Sequence, residues 1–253
     1  MRVIPVVCFS GNRAINTEKF VPKDYLGDVL NVVSLFSDLY CDELSLVNLD
    51  DSTNLDLLQK ISNRVSMPLS YAGAIKSIDD IETLLNCGIE KVILNSKVVL
   101  IENDYLEIIN RFGASSISIS VDYRLMSDGI RYCFHHSGLN PLHHSLQVFI
   151  ELIENCGIYP GEIIFSNIES DGMWTGLDEE VLGLVSGIRC PIVLNCGLNS
   201  LIGIKNYSLK GVNGIMGASF FSFARKGQGV LINYGLNEEL HLLKKKINSH
   251  FNL

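Results

Sequence analysis

The chain has 253 residues, 47% of them hydrophobic and 19% charged, with 20 Lys+Arg against 28 Asp+Glu and a formal net charge of -8. Such a length and apolar content exclude a disordered chain and a staple-dependent mini-protein, and suit one large α/β domain. The acidic balance argues against nucleic-acid binding, which needs a basic face, yet leaves phosphate ligands open because backbone N–H groups can hold them without lysine.

The opening Met1-Arg2-Val3-Ile4-Pro5-Val6-Val7-Cys8 is an apolar run of strand length followed by Gly11 and Asn12, not a secretory leader. No stretch approaches the roughly 18 apolar residues of a membrane span. The seven cysteines are odd in number and form no CxxC pair. Reduced, buried thiols in a cytoplasmic protein are the expectation.

Along the chain, strand-type runs at 3–8, 44–48, 68–72, 91–95, 116–122, 162–166, 192–195 and 214–217 alternate with amphipathic helical patterns. The first helical pattern covers 24–40 and carries Leu26, Val29, Leu30, Val33 and Phe36 on one face; the others lie at 55–65, 78–87, 104–112, 146–156, 179–186, 201–209 and 237–251. Ser77 and Asp178 are candidate N-caps. Gly88 and Gly157 read as helix-ending glycines in the left-handed conformation.

Eight βα units in about 250 residues predict a single-domain (β/α)8 TIM barrel. A doubly wound sheet would usually show a Gly-rich first turn, and Ser10-Gly11-Asn12-Arg13 is not one. An internal repeat at offsets of about 120 residues supports the barrel. Ala72-Gly73-Ala74-Ile75-Lys76-Ser77 answers to Cys196-Gly197-Leu198-Asn199-Ser200, and the Asn95-Ser96 strand end answers to Ala218-Ser219. The expected organisation is one domain of two half-barrels, roughly 1–115 and 116–253.

The repeat duplicates a device. A strand ends in glycine (Gly73, Gly197), the next in a small or polar pair (Asn95-Ser96, Ala218-Ser219), and such exits can cradle phosphate on backbone N–H groups. Two copies across a barrel mouth suit a ligand phosphorylated at both ends. The pairs His135-His136 and His143-His144 fit no standard metal-ligand spacing and read as a solvated loop, so neither metal nor cofactor is expected. Trp174 is a candidate lining residue of the ligand mouth.

Over nearly its whole length the sequence resembles the HisF family, the cyclase subunit of imidazole glycerol phosphate synthase. The resemblance runs in order through Arg2-Val3-Ile4-Pro5, Asp42-Glu43-Leu44, Gly73-Ala74-Ile75-Lys76-Ser77, Lys91 to Ser96, Ser118 to Asp122, Gly161-Glu162-Ile163, Asp171-Gly172 with Gly176-Leu177-Asp178, and Ala218-Ser219-Phe220-Phe221. It implies a barrel that receives ammonia from a HisH-like glutaminase through its core and presents it to a bisphosphate substrate at the C-terminal face. It places the phosphate contacts at Gly73, Asn95, Ser96, Asp171, Gly172, Gly197, Ala218 and Ser219. It makes Arg2, Glu43, Lys91 and Glu162 the gate of the ammonia passage and sets Glu90 facing the glutaminase.

The departures lie at the reaction centre. Family cyclases use two aspartates, ending strands 1 and 5, as acid and base. The second is Asp122, but the first is replaced by Cys8. A thiol, with a pKa of about 8.5 against about 3.9, does not copy a carboxylate. Asn48 stands at the family's strand-2 aspartate, with Asp50 and Asp51 just after it, and Asn16 at the loop-1 lysine, with Lys19 nearby. The family's double glycines are thinned to Gly73-Ala74 and Cys196-Gly197. A kept conduit beside an altered centre resembles the glycosyl-amidation-associated (WbuZ-type) HisF-like proteins. That likeness implies delivery of ammonia to a separate ATP-dependent sugar amidotransferase that makes acetamidino sugars. A working cyclase and a non-catalytic scaffold activating the glutaminase are the alternatives.

Overall fold

The computed structural model describes residues 1–39, 41–95, 102–135, 138–185, 187–200, 207, 210–223, 240–242 and 245. Among them the strands are β1 (Arg2–Ser10), β2 (Arg13–Glu18), β3 (Val21–Asp28), β4 (Leu44–Asn48), β5 (Leu69–Ala72) and β6 (Lys91–Asn95). They continue with β7 (Ile117–Leu125), β8 (Arg131–His135), β9 (Asn140–Ser145), β10 (Glu162–Asn167), β11 (Ile192–Asn195) and β12 (Val212–Gly217). The helices are α1 (Val29–Ser37), α2 (Leu55–Ser62), α3 (Ile78–Asn86), α4 (Glu102–Phe112), α5 (Leu146–Cys156), α6 (Val181–Val185) and the short α7 (Ser219–Ser222).

Eight parallel strands run in the order β10-β11-β12-β1-β4-β5-β6-β7, and a β7–β10 pairing closes them into a barrel. The fold is thus the expected (β/α)8 barrel. Parallel strands with both faces covered read as near-continuous apolar runs, which is why β1 and β10 are buried almost throughout. Closure sorts their residues by alternation. One set packs outward under the helices; the other, Ile4, Val6, Cys8, Ile93, Ile164, Val193 and Met216, forms a separate cluster on the barrel axis.

Two antiparallel additions stand on this frame. β2 and β3 form a hairpin that continues β1, so the helix expected at 24–40 begins only at Val29, and Leu26 lies on β3. The physical reason is Asp28, whose carboxylate accepts from the N–H groups of Leu30 and Asn31 and starts α1 there. β8 and β9 extend β7, so His135, His143 and His144 lie on strands rather than on the expected solvated loop. The helices expected at 201–209 and 237–251 lie almost wholly outside the described residues, as do Ser96 and His136. Among the described residues no helix is long and apolar enough to cross a membrane.

The punctuation follows the sequence. Ser77 caps α3 in a reciprocal box with Asp80, and Gly157 ends α5 at φ 68°. Asp178 accepts from the Glu180 N–H, but its carboxylate also holds Arg131 and the Tyr123 hydroxyl.

At both expected cradles the chain leaves its strand through two successive left-handed residues. Gly73 has φ 100° and Ala74 φ 55°; Cys196 has φ 77° and Gly197 φ 85°. Gly73 is sterically required, because a Cβ there would lie 2.1 Å from the Asn48 carbonyl oxygen. Ala74 instead bears about 1 kcal/mol of left-handed strain. Urea denaturation of two variants checks this: Gly73→Ala loses about 3 kcal/mol or more, whereas Ala74→Gly stays within about 0.5 kcal/mol, strain relief offsetting added freedom of the unfolded chain.

Candidate functional site

The C-terminal ends of the barrel strands open into a cavity of about 680 Å³, a size suited to a small ligand. Its wall includes Cys8, Gly73, Asn95, Asp122, Asp171, Gly172, Trp174, Gly197, Ala218 and Ser219, so the expected reaction-centre and cradle residues, Ser96 apart, share one space. Trp174 packs a tilted ring on Phe220 at 5.8 Å.

Asp122 is buried near the end of β7. Burial pushes its carboxyl up to about 6, against the pull of hydrogen bonds donated by the Ser120 hydroxyl (2.8 Å) and the Asn95 amide (3.1 Å). Ser166 lies 3.3 Å from Ser120 and accepts from the Asn195 amide, extending the network around the floor. An acid poised near 6 can give or take a proton close to neutrality.

Cys8 is different. Burial, with the nearby Asp171 charge adding to it, pushes its thiol up to about 12. It remains a neutral SH group near pH 7 and cannot act as the second carboxylate. Cys196 is raised as well, by burial and then by Asp171, Asp122 and Cys8.

Asp171 is expected at a phosphate. It lines the cavity, but its carboxylate accepts from the Thr17 hydroxyl at 2.7 Å and the Phe20 N–H at 3.0 Å. Its carbonyl accepts from the Lys19 N–H at 3.0 Å. Asp171 and Gly172 therefore strap the β2–β3 hairpin to the mouth. Lys19, the nearby basic residue of loop 1, is paired through its ammonium with Glu169 at 2.5 Å. Asn16 is buried and accepts from the Ser219 hydroxyl at 2.7 Å. Asn48 donates to the Tyr71 hydroxyl, and Asp50 holds Ser10 and the Gly11 N–H. Lys76, which was not singled out from sequence, and His135, which was expected on a solvated loop, also line the cavity. The hydroxyls around Asp122 were missed too, although Ser118, Ser120 and Asp122 at every second position of a strand share one face.

At the opposite end the four expected gate residues meet. Arg2 opens β1, Glu43 precedes β4, Lys91 opens β6 and Glu162 opens β10. Arg2 bonds Glu43 at 2.7 Å and also bonds Glu162. Lys91 bonds both carboxylates at 3.0 Å. The Ser118 hydroxyl adds a bond to Glu162 at 2.9 Å. Burial alone would raise Glu162, but Lys91 and Arg2 outweigh it and hold the carboxyl below its ordinary value. This alternating four-charge ring plugs the N-terminal end of the barrel axis. Glu90, beside it, is exposed.

Comparison with known proteins gives a consistent set. The family described as Histidine biosynthesis protein is matched over residues 2–226. A Leptospira borgpetersenii protein with the provisional name imidazole glycerol phosphate synthase subunit HisF is 30% identical, over 92% of this chain and 94% of its own. A Pseudomonas aeruginosa protein with the provisional name subunit hisF2 is 28% identical, over 92% and 95%. The imidazole glycerol phosphate synthase subunit HisF of Helicobacter hepaticus is 26% identical, over 88% and 90%.

The raised Asp122 has a stability consequence. Its folded pKa lies above the unfolded value, so the native state binds the extra proton between about pH 4 and 6, and stability falls as pH rises through that window. Asp122→Asn removes this penalty. Thermal denaturation across pH shows the variant more stable than wild type at pH 8 by about 3 kcal/mol, the advantage vanishing below about pH 4.

Proposed function

The chain belongs to the histidine biosynthesis protein family, and on that premise we propose that it is a HisF-like barrel subunit that conducts ammonia along its axis. In this reading a HisH-like glutaminase docks on the N-terminal face, where Glu90 lies. Glutamine-derived ammonia passes the ring of Arg2, Glu43, Lys91 and Glu162 and leaves at the C-terminal mouth. There it serves a separate ATP-dependent amidotransferase making acetamidino sugars for a surface polysaccharide. The chain is one cytoplasmic domain of two half-barrels, 1–115 and 116–253. Its cradles, Gly73 with Asn95-Ser96 and Gly197 with Ala218-Ser219, bordered by Asp171-Gly172, are either remnants of the family's phosphate sites or hold a different phosphorylated small molecule.

One observation carries the proposal. The four charges interlock at the closed end, while the strand-1 end of the cavity holds a thiol that stays protonated near neutrality. Four charges at a strand-start layer are a poor choice for stability alone, because desolvation offsets most of their attraction.

A second reading, a working cyclase of histidine biosynthesis, draws on Asp122, whose raised carboxyl faces the cavity and could serve as the acid/base. One reaction mixture separates the readings: the protein, its glutaminase, glutamine and the bisphosphate aminoimidazole-carboxamide precursor. Stimulated glutamine turnover without imidazole glycerol phosphate is the expected result; cyclised product at an enzyme-like rate would overturn the conduit-only reading.

Lys91→Ala tests the ring. Removing one cation leaves two mostly buried carboxylates sharing Arg2, which costs about 3 kcal/mol of stability. In the complex with glutaminase, the share of glutamine nitrogen lost to bulk solvent rises several-fold. Unchanged transfer, measured with amide-labelled glutamine, leaves the protein a scaffold that activates the glutaminase.

A further inference from the structure

The cavity at the C-terminal face has two unlike walls. One, made by the exits of β4 and β5 and by α4, includes Asp50, Asp51, Lys76 and Asp104. The other, around Gly197 and Ala218, includes Phe20, Trp174, Leu198 and Phe220. Among the described residues the carboxylate of that second wall is Asp171, which is already bonded by the Thr17 hydroxyl and the Phe20 N–H.

Trp174 is the chain's one tryptophan. Its φ is 58°, between Gly172 at 71° and Gly176 at 94°. A bulky side chain resists this left-handed backbone. Such strain persists only where the surroundings over-determine it, and it gathers at ligand clamps. The surroundings do so here. The Gly176 N–H donates to the Gly197 carbonyl at 2.8 Å, and the Asn199 amide donates to the Trp174 carbonyl at 3.4 Å. The Trp174 ring packs on Phe220 at 5.8 Å and 55°. Phe220 in turn sets its edge on the fully buried Phe221 at 5.3 Å and 90°. Trp174 itself is half-buried and belongs to the cavity wall. It is a braced aromatic plate, positioned before any ligand arrives.

The two walls together specify a chemistry. An aromatic face is electron-rich, and the C–H bonds on the flat side of a pyranose meet it with their positive ends. The hydroxyls around such a ring need acceptors, directly or through water. Ionised carboxylates only accept, with about four lone-pair sites each. Asp50 uses some of its sites on the Ser10 hydroxyl and the Gly11 N–H, and Asp51 and Asp104 are exposed. The same carboxylates repel a second phosphate. A nucleobase fits less well. It gains most from a slot between parallel faces, and the tilt of Phe220 against Trp174 forms no such slot.

We propose that this cavity binds a phosphorylated saccharide, with a pyranose ring laid on Trp174 and its hydroxyls turned toward the wall of Asp50, Asp51 and Asp104. Trp174 is the residue that selects the ring. The single phosphate rests on the reading above in which the Gly197 cradle is in use; the ring rests on the two walls.

The lone tryptophan reports on its own site. Titration of the full chain with N-acetylglucosamine 1-phosphate changes the Trp174 emission saturably, whereas inorganic phosphate leaves it unchanged. A flat titration with the sugar phosphate overturns the proposal, and so does tighter binding of adenosine monophosphate. By calorimetry Trp174→Ala weakens the sugar phosphate about tenfold, and Trp174→Phe stays within about threefold of wild type. Should Trp174→Ala lack a cooperative thermal transition, Trp174→Gly, which suits the left-handed backbone, gives the same comparison. Equal affinity in wild type and the folded plate-less variant overturns the proposal. The outcome is separable from the conduit. A saturable titration in a protein that also makes cyclised product keeps the plate while the conduit-only reading falls. A flat titration beside intact nitrogen transfer overturns the saccharide alone.

Discussion

In a closed sheet every second side chain points at the axis and has no solvent to retreat to. Eight strands joined by the β7–β10 pairing impose that constraint on this chain. Each inward residue must therefore be apolar, be matched by a partner, or reach one of the two ends. The layers obey it in turn, the unpartnered hydroxyls of Ser45 and Ser70 excepted. Charges at the N-terminal end neutralise one another, Ile, Val and Met dominate the middle, and hydroxyls, amides and carboxylates face the open cavity at the other end.

The two ends solve the cost of burial in opposite ways. Glu162 stays charged because two cations are within bonding distance. Asp122 has only neutral donors, Ser120 and Asn95, so it holds its proton until much higher pH. The same residue class is a structural anion at one end and a titratable acid at the other. Cys8 extends the contrast, since a buried thiol with an anionic neighbour has no reason to ionise near neutrality.

Much of this was legible in the chain. The strands β4, β6 and β11 were placed to the residue, because short apolar runs bounded by charges, Gly or Pro admit little else. The charged ring was legible because each member stands at a strand start, where closure alone brings distant residues together. The β2–β3 hairpin was not, because Leu26 happens to continue the helical spacing of α1 and outweighed the Asp28 cap. The tether of Asp171 to Thr17 and Phe20 was equally hidden, since it joins segments about 150 residues apart and depends on where a carboxylate turns.

The paired left-handed exits at 73–74 and 196–197 have one more implication. Each pair combines one glycine with one residue, Ala74 or Cys196, whose own preference opposes the backbone it occupies. The path of the chain at the rim is therefore fixed by its surroundings, which require glycine at 73 and 197 but tolerate a side chain at 74 and 196. Those two tolerant positions are open to innovation: their side chains can be exchanged while the loops keep their shape, and a new ligand chemistry can be tried without rebuilding the scaffold that presents it.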